Sequence, residues 1–496
     1  MHYTTRGPPG RMRTSTGEGQ LMRRPATTLA LLAFSSLITS LDFTIIYVAL
    51  PDIARDVGFS GHSMQWVVSA YAVFFGGLLL LGGRVADLLG KRRMFVLGMV
   101  VFGAASVLGG LATTTTALIV ARALQGAGAA LLFPATLSLV NTMFEEGAQR
   151  IRALAVWAMA GAGGLSLGAL LGGVLTSAFG WQAVFLINIP LVVIGAAAAF
   201  GLLSPDGPRD RGREFDVPGA LTGTVGVTLL VFTVAQGPES GWTSTPVLGG
   251  AAAAVALLVA FVIIEARSAS PLMPLRLARA LGPVLAVIFV FGATVQNIVY
   301  FLTLFLQNVW RYSALVTGLV FLSLSLVIAV ANFLAERLIV RIGLRATLII
   351  GLVLAAVGGA LLAVGMVADG SYRTILAGIV VYGMGTGTVF PTMFAAAGTG
   401  VAAQEQGTAG GMANTAMQVG IGAGLAILVG VANAGTAGLD DEALRIATGD
   451  GLRSTVVMAA ALTLLGLLAA AALPGRRAID REKATAATDP APVRGG

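Results

Sequence analysis

Two charged residues stand alone inside long apolar stretches of this sequence. Asp42 and Arg122 are each flanked by uncharged residues, and together they could form an ion pair or exchange a proton. A charge at membrane depth costs at least ~2.5–3.5 kcal/mol on insertion scales, so such a residue is a functional candidate by default. The chain has no cysteine and only two histidines, which argues against thiol chemistry and a histidine metal cluster.

The elements that must position these charges are apolar helices. The chain has 496 residues, of which 56% are hydrophobic and 11% charged, whereas soluble proteins have about 25% charged residues. A bilayer-spanning helix needs about 20 mostly apolar residues. The sequence predicts fourteen such spans, at 27–50, 63–83, 94–112, 116–141, 153–175, 183–203, 217–236, 247–265, 282–307, 313–336, 346–366, 372–397, 408–432 and 453–473.

The basic residues follow the predicted topology. With the N-terminus in the cytoplasm, the cytoplasmic segments hold 25 Lys and Arg residues and the outer segments hold 5. This bias is the positive-inside rule, so both termini are predicted to be cytoplasmic. The net charge of +8 is therefore an orientation signal, and we do not expect nucleic acid as a partner.

An internal repeat divides the chain. Residues 83–98 align with 336–351, and 125–139 align with 382–396, at nearly the same offset. Two parallel halves related by an axis along the membrane normal place a substrate site between them, near the midplane. The predicted domains are a disordered cytoplasmic tail at 1–26, a six-helix bundle at 27–203, a cytoplasmic linker at 204–216, an inserted helix pair at 217–265, a second six-helix bundle at 282–473 and a disordered cytoplasmic tail at 474–496.

The motifs resemble those of the major facilitator superfamily, in particular its fourteen-span drug:proton antiporter branch. They are LDFTIIYVALPDI at 41–53, GRVADLLGKRR at 83–93, RALQGAGAA at 122–130 and FDVPGAL at 215–221. The resemblance implies an all-α integral membrane protein with the major facilitator fold, two six-helix bundles plus two inserted helices, 14 transmembrane helices in all. One position departs from the branch, because Ala169 stands where a proline usually follows glycine in the fifth helix.

The same resemblance assigns a gate. It implies that the Asp87 carboxylate meets the cytoplasmic end of span 13 when the cytoplasmic side is closed, and that arginines hold this carboxylate in place. A carboxylate at a helix N-terminus is stabilised by about 0.3–1 kcal/mol when exposed. The gating residues are then Gly83, Arg84, Asp87, Gly90 and Arg92. The alternative is a solvated turn that only sets orientation.

Asp42 and Arg122 are predicted to lie at similar depths, so they can pair. Protonation of Asp42 would release Arg122 and remove a buried charge, which is a way to exchange a proton for substrate. The alternative is a static buried pair that fixes the bundle. Glu265 and Glu336 fall at predicted cytoplasmic ends and are more simply interfacial.

A set of polar and aromatic residues could line an apolar cavity with few polar anchors. Each alone is more simply explained as a contact between helices, and Asn297 falls near the repeat position of Asp42. The predicted substrate-binding residues are Tyr47, Gln125, Trp157, Gln296, Asn297, Tyr300, Asn332, Asn414 and Gln418.

These patterns favour proton-coupled efflux of lipophilic neutral or monovalent small molecules, such as drugs or antibiotics. The alternative is transport of an endogenous lipid or metabolite on the same fold. Neither lysine lies in a phosphate-binding G-x-x-x-x-G-K-[ST] motif, and no catalytic constellation is visible, so we expect neither an ATP-driven pump nor an enzyme. The expected energy source is the proton gradient, with no cofactor or metal and with protons and membrane lipids as partners. We expect a monomer in a bacterial inner membrane.

Overall fold

The computed structural model is almost entirely helical. It describes residues 25–60, 63–144, 148–206, 216–268, 271, 273–402, 405–433 and 441–473, and 89% of them are helix, with no strand. The predicted tails at 1–26 and 474–496 and the linker at 204–216 fall largely outside these residues.

The described helices follow the order of the fourteen predicted spans. Spans 1 to 6 are Pro25–Val57, Trp66–Leu89, Lys91–Gly110, Thr115–Met143, Ala148–Phe179 and the pair Ala183–Leu186 and Asn188–Leu202. Spans 7 and 8 are Val217–Ser240 and Thr245–Arg267. Spans 9 to 14 are Leu275–Ala293 with Val295–Leu304 and a π turn at Phe305–Val309, then Ala314–Ile342, Leu344–Gly365, Tyr372–Gly398, Gln406–Ala432 and Asp441–Thr463 with Leu465–Ala471.

Hydropathy supports this grouping. Within the described part of the chain, 11 helices are long and apolar enough to cross a membrane. Three shorter apolar stretches, Ser63–Leu79, Leu167–Phe179 and Pro218–Val234, lie in spans 2, 5 and 7. Together they match the positions of the fourteen predicted windows.

The repeat seen in the sequence recurs as the same backbone contact in both halves. A Cβ atom placed on Gly128 would lie 2.8 Å from the backbone nitrogen of Phe102, and one on Gly385 would lie 2.1 Å from that of Ala355. Spans 3 and 4, and likewise spans 11 and 12, therefore touch backbone to backbone where only glycine fits. The turns after spans 2 and 10 also match, because each uses a glycine with positive φ, Gly90 at 108° and Gly343 at 85°.

The two halves meet along spans 1, 2 and 5 on one side and spans 9, 10 and 13 on the other. At the predicted outer end, the Gln307 side chain donates to the Val48 carbonyl over 2.8 Å. Nearby, the backbone N–H of Leu315 donates to the Ser177 hydroxyl over 3.2 Å. Both contacts join the two halves near the predicted outer end.

The inserted pair packs across one seam between the halves. Span 7 contacts span 2 and, more extensively, span 13. The Thr224 hydroxyl donates to the Gly77 carbonyl of span 2 over 2.7 Å. A Cβ on Gly422 of span 13 would lie 2.8 Å from Val231. Span 7 therefore touches both halves.

Candidate functional site

A row of glycines brings span 5 onto span 1 around Asp42. Cβ atoms placed on Gly164, Gly168 and Gly172 would lie 2.4–2.7 Å from backbone carbonyls of span 1, at Leu37, Leu41 and Ile45. Glycines four residues apart share one helix face, so the whole face can approach a neighbouring helix. Span 5 remains helical through Ala169, whose side chain is buried.

Asp42 and Arg122 form a buried ion pair, in agreement with the prediction that they lie at similar depths and can pair. Arg122 Nη1 lies 2.8 Å from Asp42 Oδ2, and the two side chains are only 1% and 2% exposed. The Arg122 Nε donates to the Val67 carbonyl of span 2 over 2.8 Å. Its guanidinium carbon lies 4.6 Å from the ring centre of Tyr71. The arginine is thus held by a carboxylate, a carbonyl and an aromatic face.

Gln125 belongs to this ion pair in the structure. Its Nε2 donates to Asp42 Oδ1 over 3.1 Å and to the Ser106 hydroxyl over 2.9 Å. Its Oε1 accepts from Arg122 Nη1 over 2.9 Å. Gln125 therefore links Asp42, Arg122 and span 3.

Asn188 is a further partner of Asp42, and the sequence does not single it out. Its Nδ2 donates to Asp42 Oδ1 over 2.7 Å, and the residue is fully buried. Asn188 begins the second segment of span 6, just after the break that follows Leu186. In the sequence, Asn188 lies two residues before Pro190, and proline is common in the first turn of a helix. This is the signal that a helix starts again at Asn188.

The arrangement surrounds a carboxylate that can gain or lose a proton with hydrogen-bond donors. Asp42 accepts hydrogen bonds from three donors, on Arg122, Gln125 and Asn188. Donors directed at a carboxylate stabilise its ionised form. Addition of a proton would remove the negative partner of Arg122 and leave a buried cation, which is a costly state unless the helices rearrange.

Most of the predicted substrate-binding residues carry a buried polar atom that lacks a hydrogen-bond partner in the described structure. Such groups are rare in proteins and mark places where water or a ligand is bound. The seven atoms are Tyr47 OH, Trp157 Nε1, Asn297 Oδ1, Tyr300 OH, Asn332 Oδ1, Asn414 Oδ1 and Gln418 Oε1. Gln296 is half-buried.

Three members of this set lie where helices meet. Asn297 donates from Nδ2 to the Ile421 carbonyl over 3.1 Å, which ties span 9 to span 13. Gln418 packs against span 2, because a Cβ on Gly76 would lie 2.6 Å from its Cβ. The Trp157 ring lies edge-on against Phe133 at 5.3 Å.

The predicted gate is described in part. Nothing is described for the Asp87 side chain, and its role stays a prediction. Arg92 contacts span 6: its Nη2 donates to the Phe200 carbonyl over 2.9 Å, and its guanidinium carbon lies 5.4 Å from the Phe200 ring centre. The carboxylate at the start of span 3 is Asp206, which accepts from the backbone N–H groups of Arg92 and Arg93 over 3.0 Å each.

The two acids at the predicted cytoplasmic ends of spans 8 and 10 differ from each other. Glu336 is exposed. Glu265 is only 3% exposed, and its Oε2 accepts from the backbone N–H of Met273 over 2.8 Å. Glu265 therefore fastens the end of span 8 to the connector that leads into span 9, a more specific contact than an interfacial acid would make.

The comparison with known proteins decides the family. The family model described as Major Facilitator Superfamily matches residues 32–425, with a second match at 284–495. The chain belongs to the Major Facilitator Superfamily. It is therefore a multi-pass membrane transporter and not an enzyme.

Several curated relatives are named for resistance or export. The chain is 39% identical to "Puromycin resistance protein pur8" of Streptomyces alboniger, over 82% of this chain and 82% of that one. It is 39% identical to "Cephamycin export protein CmcT" of Amycolatopsis lactamdurans, over 86% and 89%. It is 35% identical to a lincomycin resistance protein of Streptomyces lincolnensis, over 88% and 91%.

Solved structures show the same fold. A bacterial homologue of the human lysosomal transporter Spinster, in an inward-facing and occupied conformation, gives a TM-score of 0.65 at 17% identity, with 94% of this chain and 99% of that chain covered. An auto-inhibited peptide transporter of the POT family gives a TM-score of 0.65 at 15% identity, with 90% and 97% covered.

Proposed function

We propose that this transporter exports lipophilic neutral or monovalent small molecules, such as drugs or antibiotics, in exchange for protons. It acts as a monomer in the inner membrane of a bacterium, with both termini in the cytoplasm. The observation that carries this proposal is the buried Asp42–Arg122 pair, in a chain whose relatives are named for antibiotic resistance and export. Asp42 is the proton carrier, and the proton gradient supplies the energy.

The coupling follows from the charge balance of the pair. The Asp42 carboxylate lies 2.8 Å from the Arg122 guanidinium, so an ionised Asp42 compensates the charge of Arg122. A proton on Asp42 frees the guanidinium, and the resulting buried positive charge favours a different arrangement of the helices. Release of that proton on the cytoplasmic side restores the pair, so each cycle can exchange a proton for a substrate molecule.

The substrate class follows from the polar atoms that lack partners. Those on Tyr47, Trp157, Tyr300 and Gln418 include donors and acceptors without formal charge. Two acids are buried among the described residues: Asp42 is compensated by Arg122, and Glu265 accepts from a backbone N–H at the end of span 8. A rigid dication would lack negative partners at this depth, where unpaired charge is costly. Apolar area would contribute about 25 cal/mol per Å² to binding.

The test is transport into inside-out vesicles with and without a pH gradient, with the monovalent aromatic dye ethidium as substrate. We expect uptake that requires the gradient, and proton movement through the membrane when dye is added. The Asp42→Asn variant should insert and fold but lose both responses. Flux independent of the gradient would instead favour a transporter of an endogenous lipid or metabolite.

A second measurement tests the substrate class. Efflux of a monovalent dye should exceed efflux of a divalent dye with a similar ring system. Equal or faster efflux of the dication would show that another acid reaches the cavity. Glu336→Gln is the variant that would identify this acid, because Glu336 is the exposed acid at the predicted cytoplasmic end of span 10.

A further inference from the structure

Asn188 differs from the other two partners of Asp42 in what its side chain can accept. Arg122 has donors only, so it can bind the carboxylate and not a carboxylic acid O–H. The acceptor oxygen of Gln125 is already bonded to Arg122 Nη1 over 2.9 Å. The acceptor oxygen of Asn188 is buried and has no partner in the described structure.

An amide can present either end to the same neighbour. In the ionised state, Asn188 Nδ2 donates to Asp42 Oδ1 over 2.7 Å. Rotation of the amide by about half a turn about its Cβ–Cγ bond exchanges nitrogen and oxygen, a torsion that is broad and nearly two-fold. Oδ1 then faces the acid and can accept its O–H.

We propose that Asn188 is a positioning residue that hydrogen-bonds Asp42 in both of its protonation states. A hydronium ion transfers a proton to Asp42: one of its O–H bonds breaks, an O–H bond forms on the carboxylate, and water is left. The hydrogen bond from Asn188 Nδ2 breaks, and the new O–H donates to Asn188 Oδ1. No other covalent bond forms or breaks. The proposal rests on the proposed function, because it assumes that Asp42 takes up the transported proton.

The other ionisable groups near Asp42 do not supply this acceptor. Arg122 on span 4 stays positively charged, and its guanidinium lies over Tyr71 of span 2. Tyr47 of span 1 and Tyr300 of span 9 are neutral at physiological pH. Span 3 contributes the neutral Ser106, which is bonded to Gln125, and span 5 contributes backbone at its glycine row.

Asn188→Leu removes both functions of the amide and keeps the same number and branching of heavy side-chain atoms. Hydrogen bonds to a charged group are stronger than those to a neutral one, so the ionised acid loses more than the neutral acid. We expect the pH midpoint of ethidium efflux to rise by about one unit and the maximal rate to fall at least tenfold. The KM for the dye should change less than twofold.

Two further variants provide the comparison. Asn188→Ser retains a hydroxyl that both donates and accepts, and it should recover much of the rate. Thr233→Val removes a buried hydroxyl from span 7, whose bond goes to the Leu229 carbonyl, and should leave the midpoint unchanged. A parental midpoint in Asn188→Leu would overturn the proposal, as would equal shifts in Asn188→Leu and Thr233→Val.

The pH dependence of melting of the purified protein gives a readout without transport. The parent should show a step that is absent in Asp42→Asn, and Asn188→Leu should move that step to higher pH. If Asp42→Asn retains coupling, the proposed function fails. If Asp42→Asn loses coupling and Asn188→Leu leaves the step in place, only the role of Asn188 fails.

Discussion

The Asp42 and Arg122 side chains depend on each other because both are almost fully buried. Removal of one partner of a buried pair leaves the other charge without compensation, at a cost of about 3–5 kcal/mol. The two partners differ, however, in how they can respond. A lone Asp42 can become neutral by taking a proton, whereas a lone Arg122 remains charged at any physiological pH.

We therefore expect Asp42→Asn to lower the melting temperature at pH 7 more than Arg122→Gln does. The double variant Asp42→Asn/Arg122→Gln should melt higher than Asp42→Asn alone, because no buried charge remains. Thermal unfolding of the detergent-purified proteins measures all three. Independent, additive losses in the double variant would contradict the pairing.

At this scale the sequence predicts the charged residues and misses the neutral ones. Asp42 and Arg122 stand out because a charge in an apolar segment has few explanations. Asn188 does not, because a single amide in an apolar helix is an ordinary feature. The sequence places Asp206 in the predicted linker at 204–216, and its contact with the first turn of span 3 shows that it is a cap.

The cap at span 3 yields a prediction at the scale of an element. Asp206 satisfies two backbone N–H groups that a helix start leaves open. We expect Asp206→Ala to destabilise the protein by about 0.5–2 kcal/mol, the usual cost of losing a cap. Asp206→Asn should lose less, since its amide oxygen can still accept one bond. The melting temperatures of both variants and the parent distinguish these outcomes. Equal losses of stability would show that only the negative charge of Asp206 stabilises the helix start.

Span 7 is a second element with a measurable consequence. It touches span 2 and span 13, which belong to different halves, and these halves rock against each other in this fold. Glu265 fastens span 8 to the connector into span 9, so the inserted pair should move with the C-terminal half. The contact with span 2 must then slide during transport.

Two disulfides test this, and the chain has no native cysteine to interfere. A Cβ on Gly77 would lie 3.2 Å from Thr228 Oγ1, and a Cβ on Gly422 would lie 3.9 Å from the Cβ of Val231. The 3.9 Å distance lies within the Cβ–Cβ range of disulfides, and Thr228 Oγ1 lies about where the sulfur of a cysteine at 228 would be. Oxidation of Gly77→Cys/Thr228→Cys should stop ethidium efflux until reductant is added, whereas Val231→Cys/Gly422→Cys should keep most of it. The reverse pattern would place the pair with the N-terminal half.

At the scale of the whole molecule, the long uncharged segments determine where the spans lie. The fourteen helices, the repeat and the family could be predicted because apolar length, glycine spacing and basic loops act over many residues. The matching glycine contacts of Gly128 and Gly385 show why the repeat survives in the sequence: a side chain there would collide with a neighbouring backbone.

Topology gives the prediction at this scale. Reporter fusions after Gly241 should lie outside the cell, and fusions after Ser268 should lie inside, because the inserted pair crosses the membrane twice. Alkaline phosphatase and green fluorescent protein fusions distinguish the two sides. The opposite pattern at either position would mean that spans 7 and 8 do not both cross.

During synthesis, Asp42 is made well before the residues that pair with it. Asp42 precedes Arg122 by 80 residues and Asn188 by 146. At about 5–20 residues per second, the carboxylate reaches the membrane several seconds before the ribosome has made its first partner. Until then Asp42 has no charged partner at its depth, and insertion of its charge with span 1 costs at least ~2.5–3.5 kcal/mol. The ion pair can form only after span 4 has entered the membrane.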